Sequence, residues 1–278
     1  MEVGPLSRRA VLLLGSAGAL AACSDGRTSS GAPSPTTGAT GVTSPGASAT
    51  ATPTATATPA GWTPGAGELE PGAKVAAVRA VQAQAQVQVI DAQYGGLLAS
   101  TASVLVVTAP LHTYDVRLTR RGTGWQVTAL HPSQPGPAAP RHTLAARRVL
   151  ASDRIALPPA ARADVLSGQV HDSVLEAMVA VGRRWHVSVS VVRSGHPIDV
   201  FGTTRPSDHP RGRAFDTWAI DAHPVVAPST PRSLVVAYME AVTAAGSYNT
   251  GGPYLLGAAP QWFSDRTHHD HVHAGFAA

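Results

Sequence analysis

Hydrophobic patterning divides the chain into segments of different periodicity. Gln82-Ala83-Gln84-Ala85-Gln86-Val87-Gln88-Val89 alternates polar and apolar residues, the period-2 signature of a half-buried strand. Ala102 to Thr108 is a continuous apolar, β-branched run, and Tyr114 to Thr119 and Gly124 to Leu130 alternate again. Arg120-Arg121-Gly122-Thr123, between those two, has the composition of a hairpin turn. With a short helix near Ala73 to Val81, the pattern predicts a small antiparallel β-rich domain of about four strands over 72–132. His112 and His131 have no partners at ligand spacing and read as surface or turn residues. Nothing in this half rises above a packing or binding module.

Ser133 to Pro140, with three prolines and a glycine, opens a stretch read as an interdomain linker, 133–160. In the segment 161–278 the period changes. Val174, Leu175, Met178, Val181 and Trp185 fall at helical spacing and predict an amphipathic helix over Ser173 to Trp185. Val187 to Val192 reads as a buried strand, Ser194-Gly195-His196-Pro197 as a loop and Ala214 to Ile220 as the next strand. Pro231 to Ala244 is a second helix with Pro in its first turn, and Asp270 to Phe276 a final strand. Helices and strands alternate without a nucleotide fingerprint, which predicts an α+β fold with helices on one side of a sheet.

The beginning of the chain is patterned for delivery. Arg8-Arg9 precedes an apolar run from Ala10 to Ala22, roughly 13 residues and too short to span a bilayer. Leu20-Ala21-Ala22-Cys23 resembles a bacterial lipobox, which makes 1–23 a lipoprotein signal peptide and Cys23 the lipid anchor. Ser7-Arg8-Arg9-Ala10-Val11-Leu12 also resembles a twin-arginine signal, so export by the Sec or the twin-arginine route is expected. Cys23 is the chain's one cysteine, so no disulfide is expected in the fold. Residues 24–71 are rich in Ser, Thr, Ala, Gly and Pro, a composition that cannot bury enough apolar surface to offset ordering. As a flexible tether such a segment reaches roughly 40 Å. The expected location is the extracytoplasmic face of a bacterial membrane, facing the cell wall.

Charge adds little. The net charge of +4 comes almost wholly from arginine, Lys74 being the only lysine. Neither a basic block nor interleaved aromatics accompany it, which argues against nucleic-acid binding.

The candidate chemistry lies in Ser207-Asp208-His209-Pro210-Arg211-Gly212-Arg213-Ala214-Phe215-Asp216 and in His268-His269-Asp270-His271-Val272-His273. A catalytic zinc site needs three protein ligands and an open position. Pro210 holds His209 extended, Arg211-Gly212 turns the chain, and Asp216 shares a strand face with Ala214 and Trp218, so His209 and Asp216 can converge on one ion. A histidine of the last cluster supplies the third ligand. On that last strand His271 and His273 share a face, while Asp270 leans the other way unless the strand begins after it.

Ser207-x-His209-x-x-Gly212-x-Ala214-x-Asp216 resembles the S-x-H-x-x-G-x-A-x-D motif of zinc D,D-peptidases of the D-alanyl-D-alanine carboxypeptidase and dipeptidase family. That family shares its fold with hedgehog signalling domains and with murein endopeptidases ending in H-x-x-H-x-H. The resemblance covers roughly Ser188 to Phe276. It implies a hedgehog/DD-peptidase-like zinc domain preceded by the small β-rich domain, with His209, Asp216 and His273 on the metal. It also implies peptidoglycan peptide stems as substrate; Ser207 and His196 are the candidate substrate-pocket residues, a plain loop position being the alternative for His196. Asp270 stands three residues before His273, where the family has an acidic general base, usually Glu; His271 and His268 are the alternatives. The family's S-G-Y-R appears here as Ser194-Gly195-His196, so Arg205 or Arg193 takes the place of the oxyanion cation. The expected activity is D,D-carboxypeptidase or endopeptidase; the alternative is a catalytically inactive, zinc-containing lipoprotein that binds cell wall or a partner protein.

Overall fold

The computed structural model describes residues 61–277. The signal peptide, Cys23 and most of the tether therefore lie outside the described residues.

Helix α1 (Pro71–Gln84) comes first, followed by four strands: β1 (Gln88–Leu97), β2 (Thr101–Ala109), β3 (Thr113–Arg121) and β4 (Gly124–Pro132). The strands form an antiparallel meander in the order β1-β2-β3-β4, with α1 packed against it. Ala73, Ala77, Val78 and Val81 of α1 close a core with Ala92, Tyr94, Val104, Val106, Val116 and Leu118. The alternation from Gln82 is not a strand: α1 runs through Gln84 and β1 begins only at Gln88. Ala and Gln are good helix formers, and Val81 extends the buried i, i+4 row of α1, so the helix captures the first part of the run.

The rest of the chain builds a second sheet. Its elements are α2 (Leu144–Ala151), β5 (Ile155–Ala156), α3 (Pro159–Leu166), α4 (Asp172–Gly182), β6 (Val187–Val189), β7 (Ala214–Ile220), β8 (His223–Pro224), α5 (Arg232–Ala244), β9 (Asn249–Gly251), β10 (Trp262–Phe263), a 3-10 turn over Thr267–His269, and β11 (Val272–Gly275). The strand order is β10-β9-β11-β7-β6-β5, with β8 hairpinned onto β7. The α+β class is as expected. Within the stretch read as linker, however, Thr143 caps α2 by accepting from Ala146 N (3.1 Å), and Ala145, Ala146 and Val149 are buried in the second core. A capped helix with one apolar face is too short to produce a long periodic signal in sequence.

Helix α4 buries Val174, Leu175, Met178 and Val181 against β6, β7 and α5. Each such side chain contributes about 1.5–3 kcal/mol of burial. Strand β7 divides the two environments. Phe215 and Thr217 meet the helical side, where Thr217 Oγ1 lies 2.8 Å from Tyr238 Oη of α5. Asp216 points to the opposite face and reaches β1 of the meander. The meander is therefore packed on the sheet that carries the motif residues.

Candidate metal centre

The motif loop returns to the sheet through Gly212, whose φ is +69°. A Cβ at Gly212 would lie 2.0 Å from the Gln169 carbonyl oxygen, so only glycine makes this turn. The turn brings buried His209 over β7. Asp216 of β7 is the direct cross-strand partner of His273 of β11, which places both side chains on one face.

Three donor atoms then meet. His209 Nε2 is 3.1 Å from Asp216 Oδ1 and 3.2 Å from His273 Nδ1, and His273 Nδ1 is 3.0 Å from Asp216 Oδ1. Tetrahedral zinc with nitrogen and oxygen ligands separates its donors by about 3.3 Å, close to this triangle. His209 Nδ1 donates to the Val192 carbonyl oxygen (2.9 Å), which turns Nε2 toward the carboxylate. One proton cannot serve all three edges of the triangle, whereas a metal ion can.

The flanking contacts orient the donors. Gln93 Nε2 of β1 donates to Asp216 Oδ2 (2.6 Å), and Ser190 Oγ donates to Gln93 Oε1, so Oδ1 is left to face the two histidines. Burial pushes the Asp216 carboxyl up, but His209 and His271 beside it outweigh burial and hold it well below the usual carboxylate range. Burial lowers His273 to about 4, which keeps its imidazole neutral at physiological pH.

His196 is a fourth neighbour. It stacks on His209 with ring centroids 4.2 Å apart, and His196, His209 and Asp216 each offer a donor atom within 4.8 Å of the others. These residues can hold a metal ion. The His209–Asp216–His273 triangle is the tighter of the two groups.

His271 Nε2 lies 3.8 Å from Asp216 Oδ2, and its Nδ1 is 2.6 Å from Asp270 Oδ1. Asp270 stands outside the final strand, at the exit of the 3-10 turn, because β11 begins at Val272. Its Oδ2 accepts from Tyr94 N (2.9 Å) and pairs with Lys74 Nζ (2.6 Å). Both oxygens of Asp270 are therefore engaged, and His271, not Asp270, lines the cavity.

That cavity measures about 590 Å³ and opens over the triangle. Ser207, His196, Arg205, His268, Phe201 and Phe263 are among its walls. Arg193 is turned away: its guanidinium donates to the Pro135 carbonyl oxygen (2.7 Å) and its backbone N to Asp164 Oδ2 (3.0 Å). His269 is half-buried, and its Nε2 lies 2.8 Å from the Gly67 carbonyl oxygen. Trp218 borders a small cavity behind Asp270, and Trp262 packs on the second core.

Sequence reasoning missed Gln93, Lys74 and the Tyr94 backbone, all supplied by the segment read as a packing or binding module. The one available signal was Lys74 itself, a lone lysine in an arginine-using chain.

No protein-family model, curated protein or solved structure matches the chain.

Proposed function

We propose that the protein is a membrane-tethered, zinc-dependent peptidase that hydrolyses the peptide stems of cell-wall peptidoglycan, of D,D-carboxypeptidase or endopeptidase type, on a hedgehog/DD-peptidase-like fold. The observation that carries this reading is the triangle of His209, Asp216 and His273 with donor spacings of 3.0–3.2 Å, beside a cavity lined by His271, which Asp270 backs. The donor set of two imidazoles and one carboxylate suits zinc, and three protein ligands leave a position for chemistry. A zinc ion held there would polarise a carbonyl oxygen and lower the pKa of water toward neutrality.

The chain's own residues account for the remaining steps. Asp270 accepts from Nδ1–H of His271, which leaves Nε2 as the basic nitrogen on the cavity side. His271 takes the proton of the attacking water and delivers it to the departing amine. Asp270 steadies the imidazolium between those two transfers. Arg205, exposed on the cavity wall, offsets the charge that develops on the scissile carbonyl oxygen. Ser207 and His196 shape the pocket beside the ligands. The lipobox and tether support the choice of substrate, because an anchored protein with that reach faces peptidoglycan.

The test is digestion of purified muropeptides by the zinc-loaded full chain, with His209→Ala and His271→Gln as controls and metal content measured in each. Stoichiometric zinc with release of D-alanine or a split cross-link, lost in both variants, is the expected result. One bound zinc without any peptide release overturns the enzyme reading and leaves a zinc-containing binding lipoprotein. Absence of zinc overturns both.

A further inference from the structure

Lys74 is the only lysine among 21 cationic side chains, and its side chain is 1 % exposed. It belongs to α1, outside the sheet that carries the ligand triangle. Nζ lies 2.6 Å from Glu68 Oε1, 2.6 Å from Asp270 Oδ2, and 4.4 Å from the centroid of the Tyr94 ring. The three N–H groups of an ammonium are thus directed at two carboxylates and an aromatic face. A guanidinium is a broad planar fork and does not fit a site built for a compact point charge.

A buried ion pair is weak evidence for stability, because apolar residues of similar volume commonly do as well. Ala73, Ala77 and Val78 around Lys74 offer such a setting. What the ammonium does fix is Asp270. That carboxylate accepts from Tyr94 N and Lys74 on Oδ2, and from His271 Nδ1 on Oδ1, so it has one orientation. Glu68 and Asp91 also face this cluster, and Lys74 is the cation set among the three carboxylates.

We propose that Lys74 is a positioning residue of the reaction centre: by clamping Asp270 it holds the His271 imidazole with Nε2 toward the ligand triangle, which makes α1 and the meander a working part of the site. This rests on the peptidase reading given above, but the geometry at His271 can be tested without it. Lys74 acts through Asp270 and touches neither substrate nor metal. Its removal leaves the three ligands in place and frees the imidazole to turn.

The test uses the zinc-loaded full chain and Lys74→Met, which keeps length and removes charge. Zinc content is expected to stay at wild-type level, and kcat on the muropeptide to fall about 10–100-fold with KM nearly unchanged, as loss of an orienting partner does. A kcat within about twofold of wild type in a folded, zinc-loaded variant overturns the proposal. Should wild type prove inactive, the peptidase reading fails and proton NMR decides the positioning alone. A low-field resonance of His271 Nδ1–H, present in wild type and lost in Lys74→Met, supports it; the same resonance in both overturns it. If Lys74→Met does not fold, wild type labelled with 15N-lysine answers instead, since it gives one side-chain signal. A solvent-protected ammonium signal that moves in Asp270→Asn supports the clamp, and an unprotected or unmoved one overturns it.

Discussion

Asp216 and His273 lie directly opposite each other across β7 and β11, with Oδ1 and Nδ1 3.0 Å apart. Two donors on paired strands need no loop ordering to meet; His209 is the one that must be brought in, by the turn at Gly212. A metal ion at this point ties β7, β11 and the motif loop together.

Zinc is therefore expected to stabilise the fold as well as the site. A ligand that binds only the folded state adds about 4 kcal/mol at a thousandfold excess over its Kd. Thermal melts with zinc and after chelation measure this directly. The gain is expected to vanish in His273→Ala, whose melting temperature then no longer responds to chelator. Equal chelator response in wild type and His273→Ala excludes His273 as a ligand.

Gln93 acts one step behind the ligands. Its amide holds Asp216 Oδ2 at 2.6 Å, and Ser190 in turn holds the amide. Gln93→Ala is expected to weaken zinc binding about 10–100-fold, read by competition with a chromophoric chelator. Ser190→Ala, which leaves the amide free to turn but still present, is expected to cost less. An unchanged affinity in Gln93→Ala means that the carboxylate orients itself without help.

The motif residues and the later elements were legible in sequence because their signals are local. Strand β7 coincides with the predicted Ala214 to Ile220, helix α5 lies within its predicted run, and α4 overlaps the predicted Ser173 to Trp185, starting one residue earlier and ending at Gly182. The capture of Gln82–Gln84 by α1 was not legible, since alternating Ala and Gln suit a helix end as well as a strand. Nor was the role of the meander. Gln93 and Asp216 are 123 positions apart, and Tyr94 and Asp270 are 176 apart. No period or spacing in one sequence registers a contact of that kind, so a strand that orients the Asp216 carboxylate reads there only as a strand. That His271 and not Asp270 lines the cavity depends on one feature: β11 starts at Val272 and leaves Asp270 behind the imidazole.

Glu68 gives the fold a dependence on pH. Burial pushes its carboxyl up to about 7 against the pull of Lys74, and burial likewise raises Asp91 to about 6. A carboxyl with a raised folded pKa binds its proton more tightly when folded. Its contribution to stability is present in full below the unfolded value and is lost as pH rises through the folded one. The melting temperature of wild type is expected to decline between about pH 5 and 8 on this account. Glu68→Gln cannot ionise, so its decline over that range is expected to be shallower. Parallel curves for the two proteins remove Glu68 as the source.

Two arginines near the motif loop are expected to separate cleanly by phenotype. Arg205 is exposed on the cavity wall, and its backbone N donates to Thr203 Oγ1 (3.1 Å), so its guanidinium is not needed to hold the loop. If it offsets oxyanion charge, Arg205→Ala lowers kcat by about 10²–10³ and leaves the melting temperature unchanged. Arg193 is tied to the Pro135 carbonyl oxygen and stands 3.8 Å from buried Asp164. Burial already raises the Asp164 carboxyl, and the Arg193 and Ser194 backbone N–H groups hold it. Removing the Arg193 side chain leaves the Pro135 carbonyl oxygen without its donor, at a cost of about 1–3 kcal/mol. Arg193→Ala is thus expected to lower the denaturation midpoint while kcat of the folded protein holds. Steady-state kinetics and urea melts on both variants decide the matter, and the opposite pattern would transfer the oxyanion role to Arg193.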